Sequence, residues 1–254
     1  MKVVILCGGR GTRLLEETEF KPKPLVKIGN MPILWHIMKG YSHFGFYDFI
    51  LCLGYKGEMI KEFFVNFSWM TNDFTLELIK GEKIFHSSSP IENWKITFVD
   101  TGLETPTGGR IKAIEGYIDD ETFMATYGDG VSNVDIKMLL EFHKEKGKIA
   151  TLTAVHPPSQ FGVIEEKNGI ASSFKEKPIL EGLINGGFFV FNRKIFDYLS
   201  FDSVLEEEPL RQLTRDGQLS VYLHSGFWMC MDTFKQAQIL NNMWNKGERL
   251  WKVW

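Results

Sequence analysis

The chain predicts an α/β fold: a mixed, mostly parallel sheet flanked by helices, with a smaller lobe built on its second half. Two observations carry this expectation. Apolar runs of strand length, at residues 3–6 and 49–53, alternate with stretches of helical period such as Ile33, Leu34, Ile37, Met38 and Tyr41. A strand-helix-strand-helix order implies parallel strands joined by right-handed crossovers. The first run also ends in three glycines within four residues, Gly8, Gly9 and Gly11. Glycine tolerates positive φ and close backbone approach, so successive N–H groups there can turn towards one anion.

In order, residues 2–7 predict the first strand and the glycine-rich loop follows. Lys21-Pro22-Lys23-Pro24 reads as extended, because the residue before a proline avoids the helical region. Met31-Pro32 opens a helix with proline in the first turn, and Gly45 ends it. Residues 49–53 form a second strand and 57–64 a second helix. The stretch 66–94 is aromatic and polar, contains Ser87-Ser-Ser-Pro90, and reads as short strands or an excursion. A strand at 94–99 precedes a helix from Thr107-Gly-Gly-Arg110 to about residue 117. A strand at 123–127 stops at Gly128-Asp129-Gly130. A helix follows at 135–146, capped by Asp135 or Asn133, then a strand at 149–155. Beyond 161 the elements shorten. A hairpin of 161–164 and 170–174 turns at Asn168-Gly169, the dipeptide suited to the tight turn. A strand at 188–191, helices near 193–200 and 204–215, a strand at 219–223 and a helix from about 233 to 246 complete the chain. Neither repeats nor a linker divide it, so the 254 residues read as a single domain.

Composition narrows the function. The chain is 44% hydrophobic and 24% charged, with a formal net charge of −3. Nothing in this suggests a polyanion-binding surface or a basic membrane patch, so neither nucleic acid nor membrane is expected as a partner. Cys7, Cys52 and Cys230 are far apart with no metal-ligand spacing, and free thiols suit a reducing compartment. With no signal pattern and no apolar run of spanning length, the expected location is the cytoplasm. The seven tryptophans read as core or interface, and Trp251 and Trp254 as subunit contacts.

The glycine loop fits neither common phosphate signature. A Walker loop needs Gly-Lys-Ser/Thr at its end, and a dinucleotide loop needs a third glycine where Leu14 stands. What remains is Gly-Gly-x-Gly-Thr-Arg-Leu, with Lys23 ten residues after Arg13. A glycine pair alone is often only a strand-to-helix turn; with Thr12, Arg13 and Lys23 attached it points to a nucleoside triphosphate.

That segment resembles the signature of the sugar-1-phosphate nucleotidylyltransferases. The resemblance continues through Val99-Asp-Thr-Gly102, Thr107-Gly-Gly-Arg110, Tyr127-Gly-Asp-Gly130, Phe174-Lys-Glu-Lys-Pro178, Ile184-Asn-Gly-Gly-Phe-Phe189, Gly226-Phe-Trp228 and Met231-Asp-Thr233. These later motifs are similar to the cytidylyltransferase branch. The resemblance implies a Rossmann-like fold of the nucleotide-diphospho-sugar transferase type. About residues 1–155 would form its nucleotide-binding half and 156–254 its sugar-phosphate half. It implies CTP and glucose 1-phosphate as substrates, Mg²⁺ as cofactor, and a homo-oligomer such as a hexamer. Leu6, Cys7, Gly8, Gly9, Arg10, Gly11, Thr12, Arg13, Lys23, Glu104, Gly109 and Gly128 would contact the nucleotide. Glu176, Lys177, Asn185 and Gly187 would contact the sugar phosphate, and Asp129 and Asp232 the metal. Arg13, Lys23 and Asp129 would carry catalysis. Cys7 departs from the alanine common in the family, and Arg10 occupies a variable position.

Alone, an aspartate in Gly-Asp-Gly is as readily a turn residue, and Lys177 a solvated surface lysine. Glu104 has two readings. It accepts from the exocyclic amine of cytosine, which would favour CTP, or it is a loop glutamate facing solvent. Three alternatives stay open: UTP or dTTP as donor, another sugar phosphate as acceptor, or a regulatory module that binds a sugar nucleotide without making it.

Overall fold

The computed structural model describes residues 1–86, 92–159 and 161–254, apart from the side chains of Arg13, Leu15 and Glu16. Among these residues, seven strands form the central sheet: β1 Lys2–Leu6, β2 Asp48–Leu53, β3 Lys95–Asp100, β4 Thr122–Tyr127, β5 Ala150–Val155, β6 Ile184–Asn192 and β7 Leu219–His224. Their spatial order is β7-β5-β6-β4-β1-β2-β3. The pairs β1–β2, β1–β4, β2–β3 and β5–β7 are parallel. β6 runs antiparallel to both its neighbours, β4 and β5. The sheet is therefore mixed and mostly parallel, as the alternation predicts.

Strand periodicity explains how it is covered. Val3, Val4 and Ile5 of β1 have no exposed surface. Successive side chains point to opposite faces. Val3 and Ile5 join one apolar cluster with Ile37 of helix Ile33–His43, Leu139 of helix Ile136–Lys146 and Leu240 of helix Phe234–Lys246. Val4 joins a second cluster with Ile111 of helix Thr107–Ala113 and Leu213 of helix Glu208–Arg215. A strand buried on both faces reads as a continuous apolar run, which is why β1 was legible. The chain leaves β1 towards β2 and β3 on one side and returns to β4 on the other. The carboxyl ends of β1 and β4 thus flank the point where strand order reverses, the crevice in which open α/β sheets hold ligands.

Several elements differ from the sequence expectation. Met31–Pro32 is not the first helical turn but a two-residue strand paired with Lys27–Ile28. Pro32 has ψ 151°, and the helix begins at Ile33. The helix from Thr107 stops at Ala113, and Glu115–Tyr117 follows as a separate 3₁₀ turn. The expected helix at 193–200 is 3₁₀ over Arg193–Tyr198, and its successor begins only at Glu208. Within 66–94 there is a short helix, Phe67–Thr71, and a hairpin of Phe74–Glu77 and Glu82–Phe85. Ser87 to Pro90 lie outside the described residues. The hairpin of Val163–Lys167 and Ile170–Lys175 turns at Asn168 and Gly169 with φ 54° and 80°, the two positive values its turn type requires. Thr233 closes a full capping box with Gln236 before the last helix.

Trp251 is 1% exposed and packs in its own chain against His36, Trp244 and Phe227; it is a core residue, not the subunit contact expected. His36 Nε2 lies 3.0 Å from the Ile28 carbonyl, and Trp251 Nε1 faces His36 Nδ1 at 3.4 Å. The neutral ring satisfies both, donating at Nε2 and accepting at Nδ1. Protonating Nδ1 would set two donors against each other. Burial lowers the His36 pKa to about 4, against roughly 6.5 when unfolded. A depressed folded pKa contributes stability that is complete above about pH 6.5 and is lost as pH falls towards 4, at most about 3 kcal/mol. Urea unfolding from pH 4 to pH 8 should therefore show a shallower acid loss in His36→Phe than in the parent. Equal slopes would refute this account.

Candidate active site

The loop after β1 forms one wall of a cleft of about 360 Å³. Its base is tied to β2: Cys7 N–H donates to Cys52 O at 2.9 Å, and Gly8 O accepts from Tyr55 N–H at 3.1 Å. Arg110 braces it from below and is 4% exposed. Its guanidinium donates to the carbonyls of Leu53, Gly102, Gly8 and Leu103 and to Thr101 Oγ1, at 2.7–3.2 Å. A Cβ on Gly8 would lie 2.0 Å from Arg110 Nη1, so glycine there is what lets the guanidinium reach the strand tips. These ties join the ends of β1, β2 and β3 into one rigid floor.

The opposite wall is made by Lys23, Gly128, Asp129 and Asp232. Lys23 begins a 3₁₀ turn after the extended Pro22. Asp129 follows β4. Asp232 is delivered beside it by a ribbon in which Trp228–Cys230 pairs with Gly130–Ser132 and Met231 N–H donates to Asp129 O at 2.8 Å. Lys23 Nζ sits between the two carboxylates, 2.6 Å from Asp129 Oδ2 and 2.5 Å from Asp232 Oδ1. Burial alone would depress the ammonium; the charges of Asp129 and Asp232 outweigh it and hold its pKa above the ordinary lysine value. Lys23 is thus charged throughout the neutral range.

A second cleft of about 290 Å³ opens beyond these acids, lined among others by Asn185, Gly187 and Trp228. Tyr127, Asp129 and Asp232 line both clefts. A lysine and two carboxylates therefore stand at a boundary where ligands in the two clefts would meet. Two carboxylates with water and phosphate oxygens are a donor set that Mg²⁺ takes, and the point between Asp129 and Asp232 is held here by Lys23 Nζ. Among the described residues no group of three or more His, Cys, Asp or Glu could hold a metal. Burial raises the pKa of Cys7 and takes Cys52 to about 12 and Cys230 to about 11, so none of these thiols supplies a thiolate nucleophile near neutrality.

The sequence model described as nucleotidyl transferase matches residues 2–235. The chain belongs to the nucleotidyl transferase family. Among its relatives, the probable glucose-1-phosphate cytidylyltransferase of Bacillus subtilis is 51% identical over all of both chains. The glucose-1-phosphate cytidylyltransferase of Salmonella typhimurium is 49% identical, again over all of both. A solved UDP-glucose pyrophosphorylase complexed with UDP-glucose shares the fold, with a TM-score of 0.70 at 18% identity over 97% of this chain and 98% of that one.

Ten of the residues expected in the site of this nucleotidyl transferase line the first cleft: Leu6, Cys7, Gly8, Gly9, Gly11, Thr12, Lys23, Gly128, Asp129 and Asp232. Asn185 and Gly187 line the second. Arg13 lies in the turn Thr12–Leu14, and its side chain is outside the described residues. Five others are placed elsewhere. Arg10 and Glu104 form an exposed ion pair with each other rather than facing the cleft. Glu176 and Lys177 pair at 3.0 Å, half exposed or more, away from both clefts. Gly109 donates its N–H to Ser203 O at 3.0 Å, and a Cβ there would lie 2.0 Å from Phe201 O. Its lack of a side chain serves the packing of the 201–203 loop. Arg110, Thr107, Tyr127 and Trp228 line the clefts but were not singled out as site residues. The Thr-Gly-Gly-Arg motif was the available signal for the first two; an arginine close behind two glycines suggests a close backbone approach.

Among the described residues no helix is long and apolar enough to cross a membrane.

Proposed function

We propose that this chain transfers the cytidylyl group of CTP to α-D-glucose 1-phosphate, releasing pyrophosphate and forming CDP-glucose. The observation that carries the reading is the meeting of two clefts at Lys23, Asp129 and Asp232. Full-length similarity to cytidylyltransferases supports the choice of base and sugar. A phosphate oxygen of the sugar phosphate attacks the α-phosphorus in line. That nucleophile is already an anion, so catalysis reduces to positioning and charge neutralisation. The N–H groups of the loop from Gly8 to Thr12, with Arg13, receive the β- and γ-phosphates and stabilise the leaving pyrophosphate. Lys23 bridges the α-phosphate and the incoming phosphate. Asp129 and Asp232 are the residues that would hold Mg²⁺, which when bound would supply positive charge against the repulsion of the two anions. Asn185 and Gly187 meet the sugar. Glu176 and Lys177 would contact the sugar phosphate as the family resemblance implies, though they pair with each other outside both clefts here.

The same proposal includes a nucleotide-binding half over residues 1–155 and a sugar-phosphate half over 156–254. It also includes a homo-oligomer in the cytoplasm, whose CDP-glucose is the precursor of CDP-linked deoxysugars for surface polysaccharide, as the family resemblance implies. Pyrophosphate release with CTP, UTP, dTTP, ATP and GTP, each with glucose 1-phosphate and Mg²⁺, tests the reading. CTP should be fastest by at least about tenfold, and a faster rate with another triphosphate would overturn the choice of base. Because Glu104 pairs with Arg10 outside the cleft, Glu104→Gln should leave the CTP-to-UTP preference within about twofold of the parent. A collapse of that preference would restore Glu104 as the residue that reads cytosine.

A further inference from the structure

Glu206 belongs to neither cleft lining, yet its carboxylate ties the two together. One oxygen accepts from Thr107 Oγ1 at 2.6 Å, and the other accepts from the Tyr127 hydroxyl. Thr107 lines the first cleft and Tyr127 lines both. The backbone of Glu206 is fixed on each side. Leu205 before it is fully buried, and its N–H donates to Thr107 Oγ1 at 2.9 Å. Helix Glu208–Arg215 follows, with Pro209 in its first turn.

The hydrogen-bond polarity runs one way from this carboxylate. Ionised, Glu206 can only accept, so Tyr127 O–H donates to it. The phenolic oxygen then accepts from Asn185 Nδ2 at 3.1 Å. Asn185 Oδ1 accepts from Gly187 N–H at 2.8 Å, which fixes the amide orientation independently. Among the described residues the second Asn185 N–H has no acceptor, and Asn185 lines the second cleft.

We propose that Glu206 is a positioning residue for the sugar phosphate: acting through Tyr127, it locks the Asn185 amide so that a donor meets a hydroxyl or phosphate oxygen of the acceptor substrate. This rests on the functional reading above. Without Glu206 the Tyr127 hydroxyl is free to donate to other groups, and the amide loses one of its two anchors.

The test is a kinetic double-mutant cycle on the full chain. Initial rates are measured against glucose 1-phosphate at saturating CTP for the parent, Glu206→Ala, Tyr127→Phe and the double variant, with thermal melts as a control for folding. Each single variant should raise KM for glucose 1-phosphate about tenfold while kcat stays within about threefold. The double variant should be no worse than the poorer single one, because both residues act along one chain of bonds. Glu206→Gln keeps an acceptor for Tyr127 and should stay within about threefold of the parent KM. If Glu206→Ala does not fold, Glu206→Met, which keeps the length of the side chain but offers Tyr127 no carboxylate, takes its place with the same tenfold expectation. Effects that multiply in the double variant, or an unchanged KM, would overturn the proposal while leaving the cytidylyl transfer standing. Absence of CDP-glucose from the parent would overturn the functional reading and this inference with it.

Discussion

Lys23→Met is expected to lower kcat for CDP-glucose formation by about a thousandfold, while the variant still unfolds in one cooperative transition. Lys23 is the described cation at the boundary between the clefts, within 2.6 Å of both carboxylates. In the reaction proposed, two anionic phosphates must approach at that boundary. A preorganised charge aimed at developing charge is worth about 10²–10³ in rate for a single donor. Methionine keeps the length and apolar stem of the side chain, so the packing of the turn after Pro22 is preserved and the loss isolates the ammonium. Removing it also takes away the cation that Asp129 and Asp232 share. The variant should therefore melt lower than the parent without divalent cation and recover part of the difference in Mg²⁺. Steady-state rates within about tenfold of the parent would contradict the role given to Lys23.

Asp129→Asn is expected to cost about two to three orders of magnitude in turnover and to raise the Mg²⁺ concentration needed for half-maximal rate. The amide oxygen can still accept from Lys23, so the local geometry survives and what is lost is a unit of negative charge in a pair of carboxylates. Asp129 is positioned by β4 and by the ribbon that pairs Gly130–Ser132 with Trp228–Cys230, none of which depends on its carboxylate. Initial rates across a Mg²⁺ titration check this. An unchanged half-saturation point would remove Asp129 from the metal site.

The parts of this molecule that could be read beforehand are those where sequence and structure share one physical cause. β1 is buried on both faces and so is apolar without alternation, and the turn at Asn168-Gly169 needs two positive φ values that few residue pairs tolerate. The glycine loop was legible because close approach to Arg110 excludes a Cβ at Gly8. Other features depend on contacts between distant segments. Met31-Pro32 resembles a helix start, and only pairing with Lys27–Ile28 makes it extended. Glu104 looks available to a base until Arg10 is found beside it. The approach of Asp232 to Asp129 needs a ribbon built from residues 130–132 and 228–230, which neither strand announces by itself. Glu206 was invisible because a glutamate in a surface loop is normally solvated, and its partners Thr107 and Tyr127 lie on different elements.

The most direct test of the central claim is phosphorus NMR of the purified chain incubated with CTP, Mg²⁺ and glucose 1-phosphate carrying oxygen-18 in its non-bridging phosphate positions. The account predicts that CTP resonances give way to pyrophosphate and a sugar-nucleotide diphosphate. The label should lie in the bridge and the sugar-side phosphate of the product, with none in pyrophosphate. Unlabelled product, labelled pyrophosphate, or release of CMP or inorganic phosphate without CDP-glucose would contradict direct attack of the sugar phosphate on the α-phosphorus at Lys23, Asp129 and Asp232.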